Sequence, residues 1–391
     1  MNLARIVFFG GLVAATPVWA VYAPVPEQEQ GKEWTVTLRG DISHDDNIFG
    51  AQTGAVGSMV YQAAPRIAFN ASVTDQTFVS AAYALTLDHF TDRPGDQTLD
   101  SHLFSGRIAH AFSSATTLDV SEDYAIVKNP ESLLAGLALN TDQSYRHNEF
   151  NGRLTTSLAP KLGTTVKARS VLYRYDSASL ATSLDRTENL YGLAGSYDLA
   201  PEMKGVVEYR REDVRYRTAG ANKDKHSNFL MGGVDYAVAK RLTASVRLGN
   251  QWRQRDLERS LSMPYAELSG KYDYASGSFL SGGYVYTLEE TSNIARYTDT
   301  KVNRFFVNLQ HALTPLIAAS GSFTCEPSEL QGRRGLANAD ETTTRVGLAL
   351  SYLLSKNWMF SAHYDRDHVT SDDVSRGQQR ARVGVGASYV F

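Results

Sequence analysis

Residues 242–253 read Leu-Thr-Ala-Ser-Val-Arg-Leu-Gly-Asn-Gln-Trp-Arg, and their parity decides the architecture. Leu242, Ala244, Val246 and Leu248 take the even positions; Thr243, Ser245, Arg247, Gln251 and Arg253 take the odd ones. Successive side chains of an extended strand point to opposite faces, so this stretch has one apolar and one polar face. The same alternation recurs over residues 191–199, 280–288 and 346–354. The chain reads as strands.

Punctuation between the strands is regular. Short turns are read near Thr74-Asp75, Ser113-Ser114, Pro160-Lys161, Pro201-Glu202, Ala239-Lys240, Ser276-Gly277, Pro315 and Lys356-Asn357. Longer polar or Gly-rich connections alternate with them, at 45–57, 91–97, 128–142, 177–183, 218–225, 255–260, 292–298, 331–340 and 372–377. Eight short turns and nine long connections make seventeen links, hence eighteen strands with both chain ends on one side. Short turns at one end and long loops at the other are the asymmetry of outer-membrane barrels. A β-propeller would also repeat near forty residues, but it needs a break every few residues. Residues 343–354 alternate without one. A soluble sandwich of so many long strands would leave edges to protect. The expected fold is an all-β, transmembrane, antiparallel up-and-down barrel.

Charge on the polar parity is heavy: Arg39, Asp41, Arg66, Arg107, Arg153, Arg169, Glu208, Arg210, Arg247, Arg304, Arg345, Arg380 and Arg382. In a dry core each would need a partner. Facing water inside a closed tube they cost little, so they are expected to line a water-filled lumen. The aromatic content, 21 Tyr, 16 Phe and 4 Trp, suits side chains that sit half in water and half in lipid. Trp34, Phe112 and Trp358 are expected in one girdle, Tyr175 and Trp252 in the other.

The chain begins with a basic start (Arg5), an apolar stretch and Val18-Trp19-Ala20, which reads as a cleaved signal peptide over 1–20. A lead-in over 21–32 and a barrel over 33–391 follow. No segment reaches 18 consecutive apolar residues, so no transmembrane helix is expected. The single cysteine, Cys325, has no internal disulfide partner. A formal charge of −3 argues against nucleic acid as a partner. The expected location is the bacterial outer membrane, with its lipid as the first partner.

Two resemblances sharpen this reading. In the final strand Val383, Val385, Ala387, Tyr389 and Phe391 alternate with Gly384, Gly386 and Ser388. This resembles the terminal strand by which the barrel-assembly machinery recognises its clients. Residues 38–49, Leu-Arg-Gly-Asp-Ile-Ser-His-Asp-Asp-Asn-Ile-Phe, resemble the opening of the β-barrel porin 2 family. That resemblance implies a barrel and, through some family members, polysaccharide export with periplasmic or outer-membrane export proteins as partners.

Other chemistry is thinly represented. His363, Asp365 and Asp367 share one face, but no nucleophile elbow, zinc pattern or phosphate loop accompanies them, so no enzyme and no cofactor is expected. The acids and amide Asp45, Asp46 and Asn47 read as a solvated turn rather than a calcium site. Leu133, Leu134, Leu137 and Leu139 follow Pro130-Glu131 in the third long connection, and an apolar helix there would either fold inward as a constriction or contact a partner or neighbouring barrel. A water-filled, porin-like channel is the leading expectation, with a closed structural or assembly barrel as the alternative and an outer-membrane hydrolase behind both.

Overall fold

The computed structural model describes residues 33–128, 144–218, 223–255, 259–291 and 296–391. The expected signal peptide and lead-in lie outside the described residues, as do Leu133, Leu134, Leu137 and Leu139. The first six strands are β1 (Trp34–Asp45), β2 (Ser58–Thr74), β3 (Thr77–Phe90), β4 (Thr98–Ala111), β5 (Thr116–Val127) and β6 (Tyr145–Ala159). Then come β7 (Leu162–Tyr175), a helix α1 (Ala178–Leu184), β8 (Arg186–Ala200), β9 (Met203–Tyr216), β10 (Lys225–Ala239) and β11 (Leu242–Arg255). The rest are β12 (Leu261–Ala275), β13 (Ser278–Glu289), β14 (Tyr297–Ala312), β15 (Ile317–Gly332), β16 (Ala339–Leu353), β17 (Trp358–Ser371) and β18 (Gln378–Val390).

Each strand pairs antiparallel with its neighbour in sequence, and β18 returns to β1 over a register running from Thr37↔Val390 to Asp45↔Arg382. The eighteen-stranded sheet therefore closes and has no edge. That satisfies the rule that backbone groups in hydrocarbon must pair within the protein. Strands run from 12 to 17 residues, somewhat longer than the parity pattern alone implies. At ~3.3 Å per residue and a tilt near ~40°, a fourteen-residue strand rises about 35 Å, more than the ~25 Å apolar band of an outer-membrane barrel. The excess projects at the loop end.

The outward parity carries the exposed apolar residues: Leu193, Val207, Leu230, Leu248, Leu280, Val307, Leu348 and Val385 among them. So continuous an apolar belt is untenable in water and natural against lipid. Together with the closed sheet, it puts the barrel in the outer membrane. Girdles bound the belt. At the short-turn end the Trp34 and Phe69 rings are 4.8 Å apart, Trp358 and Tyr389 4.9 Å, and Tyr389 and Phe391 4.6 Å. Higher on the wall, at mid-strand, Tyr83 lies 4.7 Å from Phe104, and Tyr284 lies 4.7 Å from Phe305. The Tyr209 and Tyr284 hydroxyls donate to Asn228 and Asn303 at 2.7 and 3.0 Å, turning their wet ends upward. Trp252 belongs to the loop-end girdle, exposed on the outward parity of β11. Tyr175 does not. It shares the inward parity of Lys167 and Arg169 and is buried inside the barrel.

Glycine marks where the wall is tightest. A Cβ on Gly249, inward on β11, would fall 2.1 Å from the Leu230 carbonyl oxygen and 2.6 Å from the Met231 Cα. Backbone atoms cannot swing aside as a side-chain end can. Gly249→Ala should therefore destabilise the barrel by about 1–3 kcal/mol, whereas Gly106→Ala on β4, whose Cβ would meet nothing within 4 Å, should be near neutral. The check is the temperature at which the folded band disappears from an unboiled gel; equal temperatures for the two variants contradict the crowding.

Candidate functional site: the barrel interior

The interior has two unlike halves. Toward the short turns many inward positions are small, among them Thr165, Ser196, Ser245, Ser269, Ser281, Ser320, Ser322 and Ala349, and charges between them pair with neighbours on the wall, as Lys271 does with Asp273. An eighteen-stranded wall is too wide for such residues to fill from side to side. Toward the loops the inward positions become large, charged or aromatic, and here side chains reach over intervening strands to one another.

The densest contacts arch over β9 to β14. Arg253 donates to Asp299 at 2.7 Å, Glu212 at 2.9 Å, Glu290 at 3.3 Å and the Ser227 hydroxyl at 2.8 Å. Lys225 donates to Asp299 at 2.9 Å and to the Thr298 carbonyl at 2.7 Å. Arg255 also pairs with Asp299, and the Tyr216 hydroxyl donates to Glu290 at 2.7 Å. One level down, Arg210 donates to Glu208 at 2.7 Å and to the Tyr265 hydroxyl at 3.1 Å, and Tyr265 donates on to Glu267 at 2.7 Å. Lys167 reaches Glu208 at 2.8 Å. Phe229, Met231 and Tyr265 form an apolar patch beneath. Arg253 is 1% exposed and Asp299 0%. These charges are dry, and pairing is what makes that tolerable.

The expectation that inward charges are wetted is therefore corrected for part of the set. Glu208, Arg210, Arg304, Arg380 and Asp41 are all buried. Arg304 is held by Glu289 at 2.9 Å and Glu326 at 2.6 Å, and Arg380 by Asp45 at 2.9 Å. Others are paired but half-exposed: Arg107 with Asp119 at 2.6 Å, Arg169 with Glu149 at 3.2 Å, Arg247 with Asp235 at 2.8 Å, and Arg382 with Asp367 at 3.3 Å. Arg39 lies 3.5 Å from Asp41, and Arg345 lies 4.0 Å from Asp367. Arg66 and Arg153 are half-buried on the same parity. Asp299 could not be assigned by parity, because a register shift between Tyr297 and Thr300 turns it to the opposite face from the strand below.

The outer mouth is narrowed by the connections. α1 folds inward, burying Leu180 and Leu184 against Tyr175, Val214 and Tyr216. Arg296, just before β14, and the hydroxyl of Tyr297, its first residue, reach Asp373 in the last connection at 3.0 and 2.9 Å. Hydrogen bonds from Ser375 and Tyr297 hold that carboxyl below its ordinary range against the opposing effect of its burial. Lys223, before β10, donates to the Ser183 carbonyl at 3.3 Å. Burial, and then the like charge of Arg333, push its amine down to about 8.

His363 sits apart from this, its Nδ1 3.6 Å from Asp41 across Gly384 of β18. A Cβ on Gly384 would come within 2.6 Å of the imidazole, so the glycine clears the space for the pair. Asp367 is engaged by Arg382. Among the described residues, no group of three or more His, Cys, Asp or Glu is placed to hold a metal ion. On the outside of β18, Val383, Val385 and Phe391 are exposed, and Ala387 and Tyr389 half-exposed, all on the lipid-facing parity.

No protein-family profile and no curated relative matches the sequence. Solved structures with a similar barrel include OccAB4 of Acinetobacter baumannii, at 11% identity and TM-score 0.47 over 93% of this chain and 99% of that one. Others are OpdQ of Pseudomonas aeruginosa, at 11% and 0.47 over 92% and 97%, and a mutant of the ferric enterobactin receptor PfeA of P. aeruginosa, at 10% and 0.48 over 92% and 81%. The likeness is one of barrel shape, too distant to carry a cargo or mechanism across.

Two measurements probe the interior. Asp299→Asn leaves three cations around a neutral amide and should cost about 3–5 kcal/mol. Asp273→Asn, whose Lys271 partner at 3.2 Å is as exposed as itself, should cost under ~1 kcal/mol; similar melting of the two variants contradicts the dry arch. Lys223 should acylate with a midpoint near pH 8 rather than near 10.5. Its folded amine loses a proton before the unfolded one does, so raising pH between these values favours the fold.

Proposed function

We propose that the chain is a passive, water-filled channel of the outer membrane, with a wide inner vestibule and a restricted outer half. One observation carries the reading: in a cylinder of eighteen strands many inward positions toward the short turns are Ser, Thr, Ala or Gly, and charged ones among them, such as Arg107 with Asp119 and Lys271 with Asp273, pair along the wall. Packing cannot close such a space, and polar hydroxyl walls keep it wet. The charged arch and the inward-folded α1 then restrict the path toward the wall formed by β15–β18 and β1–β5.

That wall has its own polarity. Asp88 on β3 accepts from Gln62 at 2.9 Å, and among the described residues neither it nor Asp123 on β5 has an ion-pair partner. Unneutralised carboxylates beside a water path raise the local cation concentration. The channel is accordingly weakly cation-preferring. Exopolysaccharide as cargo, with export proteins as partners, rests on the resemblance of residues 38–49 alone. Recognition of the lipid-facing β18 residues by the barrel-assembly machinery belongs to biogenesis and is compatible with any cargo.

The packed arch favours a second reading, a closed structural barrel, and planar-bilayer recording separates the two. Steady conductance from the purified protein supports the channel; its complete absence supports the closed barrel. Leu180→Ser with Leu184→Ser should release α1 and raise the conductance about twofold. Asp88→Asn with Asp123→Asn should lower the cation-to-anion permeability ratio toward unity. Unchanged ratio in that variant contradicts the polarity assigned to the open wall.

A further inference from the structure

The lipid-facing parity should be apolar until it clears the membrane, yet on β6 to β9 it turns abruptly basic at the loop end. Arg146 of β6 stands directly opposite Arg174 of β7, and Arg215 of β9 stands directly opposite Thr187 of β8, itself beside Leu172 of β7. With neighbouring strands ~4.8 Å apart, the three arginines lie in one row about 15 Å long. Arg211 and Arg217 lengthen it along β9 and beyond. Like charges placed directly opposite on a sheet repel, so an arrangement such as Arg146↔Arg174 calls for an anion.

The protein supplies little. Asp176 lies 3.8 Å from Arg146 but is 2.8 Å from Lys128, and Asp213 is taken by Arg211 at 3.1 Å. Among the described residues no carboxylate pairs with Arg174 or Arg215. Among the described residues, Arg174 donates to the Tyr173 and Arg186 carbonyls, at 2.8 and 3.2 Å. The Arg146 side chain is 61% exposed and that of Arg217, which lies 3.8 Å from Asp185, 68%.

Below the row on the same parity comes a polar band of Asn148, Ser170, Asn189, Asp213 and Arg211, then the exposed rings Tyr191 and Tyr209, and then Leu193, Val207 and Val166. A ligand for this face must carry phosphate-like charge at one end and acyl chain at the other. Guanidinium groups match phosphate oxygens in geometry as well as charge. We propose that the loop end of β6–β9 is a docking surface for the phosphorylated headgroup of an outer-leaflet glycolipid, the lipid's chains lying against the apolar wall beneath. The site lies outside the lumen and depends on membrane insertion, not on whether the channel conducts.

The test is native mass spectrometry of the detergent-solubilised barrel with bis-phosphorylated lipid A and with its fully dephosphorylated form. The wild type should retain the phosphorylated lipid at least tenfold better. Arg146→Ser, Arg174→Ser and Arg215→Ser together should remove that preference, and the three Arg→Lys changes should restore part of it. If the triple serine variant does not fold, Arg215→Ser alone should lower retention about threefold. Equal retention of both lipids by the wild type overturns the proposal. So does an undiminished preference in the folded serine variant, or inorganic phosphate alone binding as tightly as lipid A. Single-channel conductance is expected to be unchanged in the serine variant, so failure here and failure of the channel reading are separate results.

Discussion

Backbone amides and carbonyls within hydrocarbon have no water to fall back on, and the rest of this molecule follows from how that is met. The seam between β1 and β18 supplies the last row of partners, from Thr37↔Val390 to Asp45↔Arg382. Once the sheet closes, parity becomes geography. One set of side chains must be compatible with lipid and the other is sequestered inside. The seam is braced from within by Arg380 on Asp45, which ties the two terminal strands by charge as well as by backbone.

Inside, two solutions to the same problem coexist. Near the short turns many inward side chains are small, and the charges among them, such as Arg107 and Asp119, pair along the wall. Near the loops the chain places large ionised groups, and over β9–β14 these are withdrawn from water and paired with each other. Arg253 and Asp299 meet although 46 residues separate them in sequence. Such an arch fixes the shape of the wall, since removing any one member leaves the others charged and dry. On the proposed reading it also confines solute to the opposite side, where hydroxyls and alanines are interspersed with paired charges such as Arg107 with Asp119 and Arg382 with Asp367.

Much of this was legible in the chain because strand parity is local. The eighteen strands, the short turns at residues such as Pro160 and Gly277, and the lipid-facing alternation of the last strand all depend on neighbours in sequence. The interior was legible only in outline. Which charge meets which depends on strands up to four apart in the ring, as for Lys225 on β10 and Asp299 on β14, and no local pattern encodes that distance. Asp299 escaped because one irregular step in register reverses its face. Tyr175 was misplaced because its identity fits a girdle, although its parity, shared with Arg169, already pointed inward. α1 carries only Leu180 and Leu184 as an apolar signal, too few for a helix of seven residues to stand out.

The central claim is that adjacent positions on a strand see different solvents: water inside, lipid outside. Ser322 and Phe323 on β15 are consecutive, exposed, and on opposite parities. In a Cys325→Ser background, Ser322→Cys and Phe323→Cys can each be reconstituted in liposomes and treated with a charged, membrane-impermeant thiol reagent. Rapid labelling at 322 with protection at 323 is the predicted result. Equal labelling of both, or faster labelling at 323, would contradict the account.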